Sequence, residues 1–187
     1  MGERVKEDVI LAKNCAKGDN KAREELYNKY AAMVYVLCLR YLGDPVLAKD
    51  LSHDCFIRIF DKIRKYDPDK ASLKTWISRL AINLVIDYLR ECRKVSFEQF
   101  DERVLNISEQ DCENNYDIVP PDIIMKMISN LSEAKRIVFN LYCLENFSHK
   151  EIADILGIKE RTSSSLLFKA RKQLSEMLIT YKKEVGI

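Results

Sequence analysis

Glycine and proline are scarce, with five Gly and four Pro among 187 residues. A many-turned β protein draws heavily on both for its turns, so the scarcity favours an all-α chain. No apolar run approaches the roughly 18 residues of a membrane span, and no membrane insertion is expected. The opening MGERVKEDVILAKN lacks the apolar stretch of a signal peptide. Lys6 stands where a myristoylation pattern wants Ser or Thr, so the protein is expected to stay in the cytoplasm. His53 and His149 are isolated and no two of the six cysteines lie closer than 17 residues; zinc spacing is therefore missing. With no sign of an oxidising compartment, the cysteines at 15, 38, 55, 92, 112 and 143 are expected to be free, buried thiols. There is no Gly-rich phosphate loop and no nucleophile-turn motif. An enzyme, such as a thiol hydrolase pairing one Cys with His53 or His149, is thereby disfavoured. No catalytic residue, metal or cofactor is expected.

What the chain does have is apolar content and unevenly distributed charge. Hydrophobic residues make up 47% and charged residues 32%, the composition of a folded protein. The net charge of +2 hides a division. Residues 1–63 hold 11 basic and 10 acidic side chains, and residues 64–94 hold 8 and 4. Residues 95–122 hold only Arg103 against eight acids, and residues 123–187 hold 11 and 7. The acidic stretch has no sustained helical period and ends in Pro120-Pro121, which reads as a flexible linker. A solvated tether is the plain account of its charge. The sharper one is that its acids repel phosphate until a partner fixes the domains. The chain therefore divides into a domain over 1–94, a linker over 95–121 and a second domain over 122–187.

Period and punctuation predict helices over about 5–16, 20–42, 45–65 and 73–91, then about 122–130, 133–145, 148–156 and 159–182. Gly18 and Gly43 end the first two. Asp44-Pro45 is an N-cap followed by Pro at the first helical position, Ser72 can cap the fourth helix, and Ser148 with Glu151 forms a capping-box pattern.

Two segments carry nucleic-acid chemistry. FSHKEIADILGIKERTSSSLLFKARKQL reads helix, turn at Gly157, helix, with Ile158 plugging the junction. The second helix opens on Lys159, Arg161, Thr162, Ser164 and Ser165, as a helix-turn-helix requires of the helix that enters the major groove. Residues 159–172 carry five basic side chains and one acid, suited to phosphate contact; a structural αα-hairpin with a basic face shares the pattern. Upstream, Arg64, Lys65, Lys70, Lys74, Arg79, Arg90, Arg93 and Lys94 accompany Tyr66, Trp76 and Tyr88. Cations interleaved with aromatic rings suit a single strand, because exposed bases stack while the cations follow the backbone. Trp76 also lies on an apolar stripe, where a core role is the simpler account.

In this order the segments resemble the extracytoplasmic-function group of bacterial RNA polymerase sigma factors. AREELYNKYAAMVYVLCLRYLGDPVLAKDLSHDCFIRIFDKI is similar to the core of sigma region 2. SLKTWISRLAINLVIDYLR is similar to the segment that melts and reads the −10 promoter element, and LSEAKRIVFNLYCLENFSHKEIADILGIKERTSSSLLFKARKQL to region 4. The resemblance implies two small helical domains and a non-enzymatic promoter-specificity subunit. Its implied partners are core polymerase (the β′ clamp helices and the β flap), promoter DNA and, in some members, an anti-sigma factor. Asp50, Leu51, Asp54 and Phe56 match the motif that binds the clamp helices. Asp50 and Asp54 are one helical turn apart and share a face, as a merely solvated pair also would. The −10 residues implied are Lys65, Tyr66, Lys70, Ser72, Lys74, Trp76, Arg79, Asn83 and Arg90. The −35 residues implied are Arg161, Thr162, Ser164, Ser165, Phe168, Lys169 and Arg171. Arg161 stands where the family commonly has Gly, Leu166 where it has a basic or amide residue, Ser164 where it often has Lys or Arg, and Lys159 where Ser or Pro is usual. Fewer phosphate contacts, a changed −35 preference and a weaker helix cap follow. The rival class is a stand-alone helix-turn-helix regulator, which predicts symmetric dimers and palindromic sites.

Limited proteolysis of the free protein is expected to cut first within 95–121. Protection of that stretch would mean that it packs against a domain.

Overall fold

The computed structural model describes residues 3–92 and 119–186 and is helical throughout them, without strands. It divides into two units, 1–91 and 92–187. The segment 93–118, which holds most of the expected linker, lies outside the described residues.

The first unit has four helices: α1 (Glu3–Ala16), α2 (Asn20–Leu42), α3 (Pro45–Lys62) and α4 (Leu73–Cys92). A 3-10 turn over Ile63–Lys65 replaces the last turn expected of α3. Asp19 caps α2, its Oδ1 accepting from the Lys21 N–H at 2.9 Å. Gly43 ends α2 at φ 68°, in the left-handed region that Gly enters without a Cβ clash, and its N–H donates to the Leu39 carbonyl at 2.8 Å. Asp44 then caps α3, accepting from Val46 and Leu47 N–H groups at 2.9 and 3.2 Å. Pro45 follows as the first helical residue, where its missing N–H costs nothing. At α4, the Ser72 hydroxyl accepts from the Thr75 N–H at 3.1 Å.

Buried residues recur at helical spacing. They are Leu26, Tyr30, Val34, Leu37 and Tyr41 on α2, Leu51, Cys55 and Ile59 on α3, and Leu73, Ile77, Ala81, Val85 and Leu89 on α4. Cys15, Cys38 and Cys55 are free and buried, as expected, and Cys143 is half-buried. Cys112 and the side chain of Cys92 lie outside the described residues. Cys38 and Cys55 meet across α2 and α3 as a hydrogen-bonded thiol pair. That bond, followed by burial, raises the Cys55 thiol above its ordinary pKa.

The second unit comprises α5 (Pro121–Ser129), α6 (Glu133–Phe139), α7 (His149–Leu156) and α8 (Glu160–Val185). Val119 is already buried and Pro121 is helical, so the last three residues of the stretch assigned to the linker, 119–121, belong to the structure of the second unit. Arg136 is 5% exposed and fastens the α5–α6 turn, donating from one nitrogen to the carbonyls of Ser129 and Leu131 at 2.9 and 3.1 Å. The continuous helix expected over 133–145 changes type. Asn140–Leu144 is a π-helical segment, closed by the Glu145 N–H donating to the Asn140 carbonyl at 3.1 Å. Ser148 and Glu151 form the expected capping box, the Ser148 N–H donating to Glu151 Oε2 at 2.8 Å. Gly157 turns the chain at φ 67°, with Ile158 half-buried behind it. Lys159 offers α8 no side-chain cap. No helix among the described residues is long and apolar enough to cross a membrane.

Asp44→Ala removes the acceptor for two backbone N–H groups and is expected to destabilise the first unit by about 1 kcal/mol. Thermal denaturation should show its transition lowered by about 4–8 °C. An unshifted midpoint would mean that the cap contributes nothing.

Candidate nucleic-acid interface

The chain between α3 and α4 forms the first surface. The 3-10 turn ends at Tyr66, whose N–H donates to the Ile63 carbonyl at 3.1 Å. Asp67 organises the rest, its Oδ1 accepting from the Asp69 N–H at 3.1 Å and its carbonyl from the Lys70 N–H at 3.2 Å. Lys65, Lys70, Ser72 and Lys74 are exposed here. Lys70 lies 3.5 Å from the Asp67 carboxylate, an exposed contact that leaves its charge available to a polyanion. Trp76 is half-buried rather than core and meets Tyr66 with ring centroids 5.8 Å apart at 59°, a tilted arrangement that aromatic quadrupoles favour. Burial and then the charges of Asp8 and Asp67 raise the Tyr66 phenol above its ordinary pKa, so it stays a neutral donor. Arg79 and Asn83 are exposed one turn apart while Ile77 is fully buried and Leu80 half-buried. The loop, the ring pair and these two residues thus share one side of the unit. Arg90 is exposed further along α4, roughly 10 Å beyond Asn83 at the helical rise. Arg64, part of the basic run, is engaged through its Nε with the Ala16 carbonyl at 3.1 Å.

The second surface lies on α3. Asp50 and Asp54 are exposed. Leu51 and Phe56, expected beside them as polymerase contacts, are only 6% and 4% exposed. Positions 51, 55, 56 and 59 fall on the inward stripe of a 3.6-residue period, and both side chains pack into the core. Phe56 still borders a groove between α2 and α3, walled by Tyr27, Tyr35, Val46 and His53 and edged by Lys49 and Asp50. Its ring meets Tyr27 at 4.7 Å, and Tyr27 stacks on His53 at 6.5 Å and 15°. Val46 is 71% exposed at the mouth, and Ile57 is exposed further along α3. Sequence reasoning passed over Tyr27, Tyr35 and Val46 of this groove, and the exposed Ile57. Val46 and Ile57 lie off the four-residue stripe that runs from Leu47 to Ile63, and that offset was the available signal.

The third surface is the α7–turn–α8 unit. Arg161 is exposed and Thr162, Ser164, Phe168 and Lys169 are half-exposed. Arg161, Ser164, Phe168 and Arg171 follow one another at three and four residues and form the outer face. Ser165, expected among the −35 residues, is 7% exposed and lies off that face. It belongs with Ser163, Leu166 and Ala170, all fully buried. Leu166, where the resemblance would put a basic or amide residue, is therefore a packing position and alters no outward contact. Arg171 is exposed but already engaged: its guanidinium lies over the Tyr142 ring at 5.6 Å and one nitrogen approaches the Cys143 sulfur at 3.9 Å. The other face of this cluster joins the two helices. His149 stacks on Tyr142 at 4.5 Å, and its Nδ1 is hydrogen-bonded to the buried Ser163 hydroxyl at 2.9 Å. The angle of α8 is thus tied to the first turn of α7.

Comparison with known proteins follows the same division. Residues 26–95 match the family model for sigma-70 region 2, and residues 122–174 match that for sigma-70 region 4. The ECF RNA polymerase sigma factor SigM of Bacillus subtilis is 29% identical over 157 residues, covering 82% of this chain and 93% of that one. SigW of the same organism is 28% identical over 178 residues, covering 89% and 94%. Among solved structures, the sigma factor RpoE of Bartonella quintana, determined in complex with the anti-sigma factor NepR, has a like fold. Its TM-score is 0.53 at 20% identity, covering 83% of this chain and 95% of that one.

The outer and inner faces of α8 are expected to separate in duplex DNA binding. Arg161→Ala should weaken binding and reduce the slope of log affinity against log salt by about 0.9 if it neutralises one phosphate. Ser165→Ala should leave that slope unchanged. Equal slopes for both variants and the parent protein would remove Arg161 from the interface.

Proposed function

We propose a division of labour for this chain, which belongs to the extracytoplasmic-function group of the sigma-70 family and directs transcription initiation as a sigma subunit of RNA polymerase. The exposed Asp50 and Asp54 of α3 bind the β′ clamp helices of the core enzyme, beside the apolar groove that runs to Phe56. The loop over 64–72 and the exposed face of α4 hold the opened −10 strand. The outer face of α8 reads −35 duplex, and the second unit also meets the β flap. The observation that supports this most directly is the order of surfaces. An aromatic-cationic surface of the kind that suits single strands lies on the unit matching region 2, and a helix-turn-helix on the unit matching region 4.

The work is binding and strand separation, with no covalent step. Extruding a base from the duplex costs a few kcal/mol, which stacking on the Tyr66–Trp76 pair and contacts to Lys65, Lys70 and Lys74 offset. Each base stacked on an aromatic ring contributes about 1–3 kcal/mol. Two DNA-binding surfaces on separate units gain little from each other until core polymerase fixes their spacing, because a loosely tethered pair has a low effective concentration. Promoter recognition therefore belongs to the holoenzyme. We place its activity in the cytoplasm, with the polymerase, and count an anti-sigma factor among its regulators by analogy with RpoE.

Run-off transcription with purified core polymerase tests the reading. The protein should direct transcripts from specific promoters that core alone does not produce. Asp50→Arg combined with Asp54→Arg should abolish core binding and run-off while circular dichroism stays that of the parent. Unchanged core affinity in a normally folded variant would overturn the assignment of α3. Sequence-specific binding to a palindrome as a dimer, without core polymerase, would favour the stand-alone regulator instead.

A further inference from the structure

Helix α1 lies outside the segment matching region 2, which begins at residue 26, yet it packs on the 3-10 turn from which the strand-holding loop departs. At its C-terminal end, the Ala16 carbonyl accepts from Arg64 Nε at 3.1 Å. That carbonyl is one of the last-turn acceptors that a helix cannot satisfy internally, and a cation there is further favoured by the helix dipole. Two turns earlier, Asp8 anchors α1 to α2. Its Oδ1 accepts from Lys29 Nζ at 2.8 Å and its Oδ2 from the Tyr30 hydroxyl at 3.0 Å. The Asp8 side chain is only 18% exposed and Tyr30 is buried in the stripe of α2, so the charge-assisted bond to the Tyr30 hydroxyl is partly shielded from water, while the one to Lys29 is exposed. The charge of Asp8 reaches Tyr66, where it is the largest influence after burial on the phenol. Tyr66 in turn carries Trp76.

We propose that Asp8 is a positioning residue for strand opening: by locking α1 onto Tyr30 and Lys29 it sets the place of Arg64 and Tyr66, and so the aim of the Tyr66–Trp76 pair at the opened strand. This rests on the reading that the loop over 64–72 and α4 hold that strand. Asp8 itself touches no DNA. The sign of its effect separates positioning from plain electrostatics. A carboxylate close to a phosphate-binding surface repels the strand, so on charge alone its removal strengthens binding. As a positioning residue, its removal weakens binding.

The test uses holoenzyme reconstituted with the full-length protein. The probe is a promoter found by run-off, truncated to remove the −35 element and unpaired across its −10 element. Asp8→Ala removes both side-chain bonds and is expected to reduce affinity for this bubble DNA by about tenfold or more. Asp8→Asn keeps an acceptor for the Tyr30 hydroxyl and should remain within about twofold of the parent. Affinity for core polymerase should be unchanged in both. Bubble binding by Asp8→Ala that equals or exceeds the parent overturns the proposal. Trp76→Ala controls for the underlying reading: it should lose bubble affinity, and normal binding by this variant overturns the strand-holding assignment itself. Should Asp8→Ala lose core binding through misfolding, Tyr30→Phe decides, since it keeps the ring and every charge and removes only the hydroxyl. Weakened bubble binding by Tyr30→Phe supports the positioning role, and unchanged binding overturns it.

Discussion

The two residues Gly43 and Asp44 govern the geometry of the first unit. A helix that ends on a left-handed glycine and is followed at once by a capped helix must fold back on itself. Gly43 closes α2 through the Leu39 carbonyl, and Asp44 opens α3 with two backbone bonds. The stripe from Leu26 to Tyr41 can then bury against Leu51, Cys55 and Ile59. With those positions turned inward, Asp50 and Asp54 have no choice but to face outward, one turn apart. The same rotation leaves the α2–α3 groove open and delivers the end of α3 to the 3-10 turn from which the basic loop over 66–72 departs. The acidic surface, the groove and the basic loop are therefore consequences of a single hairpin.

The second unit solves a related problem with different means. Helix α8 begins without a side-chain cap, so its orientation comes from contacts with the rest of the unit. The stack of His149 on Tyr142 and the bond from His149 to Ser163 connect three segments at one point. The π-helical turn contributes by widening the chain where Tyr142 and Cys143 project, and Arg171 lies across the outer side of that ring. A residue expected to touch DNA is thus also part of the joint that aims the helix. Arg136 plays the corresponding part at the opposite turn, where backbone carbonyls would otherwise be buried without donors.

Much of this is legible in the chain because helix ends are local chemistry. Asp44-Pro45, the Ser148–Glu151 pair and Gly157 announce themselves within four residues, and the structure uses each as its type requires. The assignment of individual faces is less legible. Ser165 and Phe56 fall on the inward side of their helices, and a shift of one position, about 100° of rotation, separates a core side chain from an outward one. Spacing alone does not fix that rotation; packing against a neighbouring helix does. The π-helical segment, in which Asn140 and Leu141 are fully buried, likewise has no mark in the periodicity. The bonds from Lys29 and Tyr30 to Asp8 span more than twenty positions, beyond the reach of any local pattern.

Trp76 is the only tryptophan of the chain, and it stands half-buried against Tyr66 on the surface assigned to the opened strand. An indole in that position is an intrinsic optical reporter. A base stacking on or beside the ring changes its polarity and quenches its emission, while other tyrosines and phenylalanines contribute little at long excitation wavelengths. Binding of single-stranded DNA to that proposed surface should therefore register as a fluorescence change without attaching a dye or replacing a residue.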